Sequence, residues 1–263
     1  MSAGVQALIE RLIEQARQSD RARPALIGVS GAQGSGKSFH CRGFAAAHPG
    51  VAHFSLDDVY LTRRERRTLA RQSHPLFITR GPPGTHDLDL ADATIDRLDH
   101  AAPDARTPLP RFDKAKDDRV PQNAWPVFAG KPEAILVDGW CLGARQGLLG
   151  FAPLNALERD EDADGQWRAL VDAALGGDYA DFFAAFDAML YLQAPSWEIV
   201  RAWRGQQEQE TLGRPLTATE HAALDRFVAH YERVTGAMLA GHHSARWIVR
   251  LDAARAVTRI EER

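Results

Sequence analysis

A chain of 263 residues with 44% hydrophobic and 25% charged side chains has an ordinary soluble globular composition, long enough for one large α/β domain or two small ones. Its formal net charge of −3 argues against a nucleic-acid protein, and Cys41 and Cys141 are too few and too separated for a disulfide framework or metal cluster, so both read as small buried apolar residues. No apolar run reaches membrane-spanning length and the first residues lack a signal-peptide core, so a cytoplasmic location is expected.

Val5, Leu8, Ile9, Leu12, Ile13 and Ala16 form one helical stripe and predict an opening amphipathic helix. "PALIG", 24–28, running into Val29, reads as a buried strand. The next stretch, Gly31-Ala32-Gln33-Gly34-Ser35-Gly36-Lys37-Ser38, fits G-x-x-x-x-G-K-[ST] and leads into a proline-free helical pattern, "KSFHCRGFAAA". "VAHFSLDDVYL" predicts a second strand ending in acids, and "RRERRTLARQ" a charged helix. Residues 80–133 are rich in Pro, Gly and charge, with one helical piece around "LADATIDRLDHA". "AILVDGW" predicts the third strand, "LNALERDEDADGQWRALVDAAL" a solvated acidic loop running into helix, and "DAMLYLQA" the fourth strand. Two helices, "SWEIVRAWRGQQEQETL" and "ATEHAALDRFVAHYERVTGAML", precede a fifth strand in "ARWIVRLDA". Strands separated by helices imply an α/β fold, a five-stranded mainly parallel sheet with helices on both faces, here expected as one domain over 1–263.

The glycine loop carries the clearest chemistry. Glycines let several backbone N–H groups point inward around an anion, and the following helix adds its N-terminal partial charge. Of the 32 Lys and Arg residues only Lys37, Lys114, Lys116 and Lys131 are lysines. A compact ammonium at Lys37 can lie along β- and γ-phosphate oxygens where a planar guanidinium would be too wide, and Ser38 offers a hydroxyl to Mg²⁺. Ligands of parallel sheets bind beyond the carboxyl ends of the strands, where Asp57, Asp58 and Asp138 fall. Asp138, after "AILV", fits a Mg²⁺-holding acid, with helix capping as the alternative. Asp57 fits a general base that could also touch the metal, a role Asp58 could take instead.

"GVSGAQGSGKS", "SLDDVYLTRRER", "HPLFITRGPPGTHD", "LPRFDKAKDDR", "ILVDGWCLGAR", "PLNALERDEDADGQWR" and "VRAWRGQQE" occur in an order that resembles D-glycerate 3-kinase and its bacterial P-loop kinase relatives, over most of the chain. The broader group resembles uridine kinase, phosphoribulokinase and pantothenate kinase. The resemblance implies a three-layer P-loop kinase sandwich, Mg-ATP as phosphoryl donor, an acid at Asp57 as base, a substrate-binding insertion over 80–133, and a lid helix over 195–212 in which Arg201 and Arg204 fold over the γ-phosphate. The two arginines are three apart and expected on one helix face, with an Arg204–Glu208 surface pair as the alternative. Trp197 and Trp203 read as packing residues.

A small anionic acceptor such as glycerate needs a cation for its carboxylate. Arg80, His86, Arg111, Lys114 and Arg119 lie in the insertion, Arg80 being the first candidate and Arg119 the second. The other reading of each is a solvated charge balancing nearby acids. No metal-ligand spacing is visible there. A GTPase base-reading element and an ABC-type signature are both absent, and a non-catalytic ATP-binding regulatory module would need neither Asp57 nor Asp138. A uridine- or pantothenate-like kinase remains an alternative on these residues, and oligomeric state is unreadable.

Overall fold

The computed structural model describes residues 3–18, 23–147, 150 and 152–263. Its helices are α1 (Ala3–Arg17), α2 (Lys37–Ala47), α3 (Arg63–Gln72), α4 (Leu88–Asp99), α5 (Ala156–Glu161), α6 (Gln166–Gly176), α7 (Asp178–Ala184), α8 (Trp197–Leu212) and α9 (Ala218–Leu239). The strands are β1 (Ala25–Gly31), β2 (Val51–Ser55), β3 (Arg106–Pro108), β4 (Phe112–Asp113), β5 (Asp118–Arg119), β6 (Val127–Ala129), β7 (Ala134–Gly139), β8 (Ala188–Gln193), β9 (Trp247–Leu251) and β10 (Val257–Glu262).

Six strands form the central sheet in the order β10-β9-β8-β1-β7-β2. All neighbours are parallel except β10, which runs antiparallel to β9. The sheet thus has one strand more than the five expected. β10, "VTRIEE", escapes a hydrophobic-pattern reading because it is a charged edge strand with little buried surface. Strands β1 and β7 are buried along their whole length, which is why they read as continuous apolar runs rather than alternating ones. Successive residues feed opposite faces: Ile27 and Val29 enter the core with α1, α2 and α8, and Leu26 the core with α4, α6, α7 and α9. The expected stripe of α1 is buried at Val5, Leu8, Ile9, Leu12 and Ile13. No described helix is long and apolar enough to cross a membrane.

The 80–133 segment is more ordered than its composition suggests. Besides α4 it holds two small antiparallel pairs, β3 with β6 and β4 with β5. Its entry is pinned against α9: the Tyr231 hydroxyl donates to the Arg80 carbonyl at 2.8 Å, and Trp140 Nε1 donates to the Gly81 carbonyl at 3.1 Å. Gly81, at φ 119°, leaves no room for a side chain, since a Cβ would stand 1.9 Å from the Tyr231 oxygen. Arg66, 1% exposed, anchors the other side, donating to the carbonyls of Leu61, Ile78 and Asp117 and pairing with the Asp117 carboxylate at 3.0 Å.

The acidic run 158–164 is not a solvated loop. Asn155 caps α5, so the run begins as helix, and Glu158 and Asp162 are fully buried. Arg233 reaches Glu158 through Nε at 2.8 Å, and Arg168 Nε stands 2.8 Å from Asp162. Asp162 also caps α6, accepting from the Trp167 backbone at 2.7 Å. Arg233, 75 residues from Glu158, and the nearer Arg168 make burial of these acids tolerable, and the former lies beyond any local pattern. Glu158→Ala leaves the largely buried Arg233 without its carboxylate and should cost about 3–5 kcal/mol of unfolding free energy. Exposed Asp160→Ala should change it by less than about 0.5 kcal/mol. Equal denaturation midpoints for the two variants would contradict this assignment.

Three buried histidines set a pH dependence. Burial holds His86, His230 and His243 at about 4, below the ordinary 6.5. The unfolded chain takes up protons on these rings between those values while the folded chain does not, so stability present above pH 6.5 is lost as pH falls toward 4. Once fully withheld, each proton costs about 3 kcal/mol, at about 1.4 kcal/mol per pKa unit. Urea unfolding should therefore show a steady loss of stability from pH 7 to 5; a flat profile there would contradict it.

Candidate active site

The phosphate loop links β1 to α2 at the centre of the sheet's carboxyl edge. Gly36 is the N-cap of α2 at φ 90°, and Gly34, at φ 78°, has no space for a Cβ, which would stand 2.6 Å from that of Trp203. Helix α8 therefore packs directly on the loop. Lys37 is 8% exposed at the first position of α2, and the Ser35 hydroxyl is buried in the loop without a hydrogen-bond partner. Glycine-dictated backbone, a buried ammonium and an unpartnered hydroxyl at a helix N-terminus fit a polyphosphate.

Asp138, fully buried at the end of β7, meets the loop directly. Ser38 Oγ donates to its Oδ1 at 2.6 Å, Ser55 Oγ reaches the same oxygen at 3.1 Å, and His53 Nε2 lies 2.8 Å from Oδ2. Burial opposes its charge, yet His53, Lys37 and Ser38 together hold the carboxyl below its ordinary value. Ser38 and Asp138 thus present adjoining oxygens beside Lys37, a donor set suited to Mg²⁺.

The two acids after β2 differ in surroundings. Both lie on a short 3₁₀ turn, Leu56–Val59, rather than in the strand itself. Asp58 closes a capping box with Ser55, accepts from the Phe112 backbone at 3.2 Å, and is raised by burial. Asp57 is partly open; Tyr60 donates to its Oδ1 at 2.8 Å and Lys114 to its Oδ2 at 2.6 Å. Burial alone would raise the Asp57 carboxyl, but Lys114 and Lys37 outweigh it and hold it far below the usual carboxylate range. Asp57 is therefore ionised throughout the neutral range and Asp58 is occupied by backbone.

The insertion's cations are mostly engaged. Arg80 pairs with Asp117 and stands 5.7 Å from the rings of Phe112 and Phe227. Arg119 donates through one nitrogen to the Tyr60 carbonyl and to Asp87, each at 2.9 Å, leaving its buried Nε without a partner. Arg111 is about half exposed, 3.7 Å from Asp58. His86 is buried, its ring tilted against that of Tyr60 with centroids 4.7 Å apart, and is hydrogen-bonded to Tyr179, with Nε2 unpartnered.

Arg201 and Arg204 are not brought together. Arg201 pairs with Asp225 of α9 at 2.8 Å and lines a cleft of about 630 Å³ between α5, α8 and α9, whose walls include no phosphate-loop residue. Arg204 pairs with Glu208 at 2.7 Å, as the alternative had it, and also faces Phe227 at 5.7 Å, the ring that Arg80 faces. A three-residue step separates two side chains by one-sixth of a turn, enough here for α9 to draw them to different partners. Trp203 packs on the loop as expected.

Two participants were missed. Arg255, in the turn between β9 and β10, donates to the Gly34 carbonyl at 2.7 Å and lies over Trp203 at 4.9 Å; nothing in "DAARA" signals this. His53 could have been found, because strand alternation puts it on the same side of β2 as Ser55.

No protein-family model matches the chain. It is 27% identical to the uncharacterized kinase mug58 of Schizosaccharomyces pombe over 248 residues, covering 87% of each chain. It is 29% identical to the chloroplastic D-glycerate 3-kinase of Arabidopsis thaliana over 203 residues, covering 73% of this chain and 42% of that longer protein. The solved structure of D-glycerate 3-kinase from Cryptococcus neoformans superposes with a TM-score of 0.77 at 22% identity, covering 100% of this chain and 99% of that one. The chain has the P-loop kinase fold, and has relatives among the D-glycerate 3-kinases in sequence and in structure.

Proposed function

We propose that the protein is an ATP-dependent kinase that transfers the γ-phosphoryl group of ATP to the terminal hydroxyl of D-glycerate, giving 3-phosphoglycerate. The observation that carries this reading is the meeting of three parts at one sheet edge: a phosphate loop with buried Lys37, the Ser38–Asp138 contact, and an ionised Asp57 held by Lys114 of the 80–133 insertion. Residues 31–38 bind the phosphates. Ser38 and Asp138, with Asp57 from the facing turn, would hold Mg²⁺, which would offset the negative charge of the polyphosphate. Asp57, aimed by Tyr60, orients the acceptor hydroxyl and takes its proton as the new O–P bond forms and ADP leaves. Lys37 and Arg204 stabilise charge on the transferred group, α8 acting as the lid. Residues 80–133 bind the acceptor, its carboxylate going to Arg80 with Lys114, each in exchange for its present partner, Asp117 or Asp57.

Four substitutions test this. Lys37→Arg keeps the charge and the fold but should lose most phosphotransfer, because the guanidinium is too wide for the cradle; near-normal turnover would contradict the assignment. Asp57→Asn should lower turnover by about 10²–10⁴ with ATP binding little changed. Asp58→Asn should act on stability, and the reverse pattern would give the base role to Asp58. Removing Arg80 as Arg80→Met should raise the KM for D-glycerate about ten- to two-hundred-fold, from about 1.5–3 kcal/mol for a buried charge-assisted pair, and spare that for ATP. Unchanged KM for glycerate would remove Arg80 from the acceptor site.

A further inference from the structure

We propose that Cys41, His53 and Asp138 form a binding site for a soft divalent cation of the Zn²⁺ class, beneath the phosphate loop and distinct in donor chemistry from the Mg²⁺ position. The proposal does not depend on the kinase reading.

The three residues come from α2, β2 and β7 and converge where those elements pack. One ligand atom from each, the Cys41 sulfur, a His53 ring nitrogen and an Asp138 carboxylate oxygen, all lie within 4.8 Å of one another. Cys41 and Asp138 are fully buried and His53 is 12% exposed. Thiolate, imidazole and carboxylate are the ligand types of tetrahedral zinc sites, with metal–ligand lengths of about 2.0–2.3 Å that set neighbouring ligands roughly 3.5 Å apart. Closing this cluster around an ion therefore needs shifts of about 1 Å. The hydroxyls of Ser38 and Ser55, already bonded to Asp138, or a water can supply the fourth position.

The donor set separates this site from the one Mg²⁺ would use. Mg²⁺ takes oxygen ligands, so Ser38 and Asp138 suffice for it, while sulfur and imidazole select zinc or a similarly soft ion. Cys41 follows Ser38 by three residues on α2, which puts its sulfur on the Asp138 side of the helix, one turn below the hydroxyl. Binding releases the Cys41 thiol proton to solvent. The imidazole binds in its neutral form through Nε2, with its proton on Nδ1. An ion held there engages Asp138 Oδ2, the oxygen that His53 now contacts, and so ties up the acid at the centre of the loop.

The probe is Cd²⁺, whose bond to a thiolate has an ultraviolet charge-transfer band. Titration of the metal-free full-length protein should give this band with saturation near one equivalent, and Zn²⁺ should displace it. The band should vanish in Cys41→Ala and persist in Cys141→Ala. Should Cys41→Ala fail to fold, His53→Gln serves instead; it should weaken Cd²⁺ binding, measured against a chelator, by at least about tenfold. Absence of the band at stoichiometric Cd²⁺, its loss with Cys141→Ala alone, or unchanged affinity in His53→Gln would overturn the proposal.

Discussion

A single buried carboxylate organises the centre of this molecule. Asp138 ends β7, between β1 and β2, and accepts from Ser38 of α2 and from Ser55 of β2 while contacting His53. A charge so placed is costly unless it is fully paired, and here its contacts tie both α2 and β2 to β7. The phosphate loop, the turn that carries Asp57 and the central strands are therefore registered to one another through one side chain. The surrounding apolar faces supply bulk stability; Asp138 supplies position.

Around this centre the cations are shared between architecture and ligand chemistry. Arg66 and Arg80 converge on Asp117, Arg119 ties Asp87 to the Tyr60 carbonyl, and Lys114 reaches Asp57. These contacts make a rigid wall from a segment rich in proline and glycine. On the proposed reading an acceptor carboxylate would compete with Asp57 or Asp117 for its cation, an exchange of partners whose net gain is smaller than that of a bare ion pair. Arg80 and Arg204, facing the same Phe227 ring, bring the insertion and α8 to one point. Closure of one over a ligand would be felt by the other.

What the sequence disclosed follows the range of the forces involved. The phosphate loop was legible because its conformation is dictated by eight consecutive residues, and β1 and β7 were legible because burial on both faces leaves largely apolar runs. β10 was not, being a charged edge, nor was α7, a seven-residue helix between stronger signals. The acidic run escaped a local reading because Glu158 owes its burial to Arg233, 75 residues away. Arg201 and Arg204 were placed together by helical spacing, but tertiary partners on α9 outweigh that spacing. Asp57 and Asp58 could be separated only once Lys114 and the Phe112 backbone were seen to take one each.

The proposed reaction requires an acceptor that is a small hydroxy acid whose carboxylate meets the insertion's cations. The most direct measurement is ADP release from Mg-ATP by the purified protein with D-glycerate, glycerol or uridine as acceptor, with the product identified by phosphorus NMR. Release that depends on D-glycerate, yields a phosphomonoester on its terminal carbon and is weak with glycerol is the predicted result. Efficient phosphorylation of uridine with none of D-glycerate would contradict it.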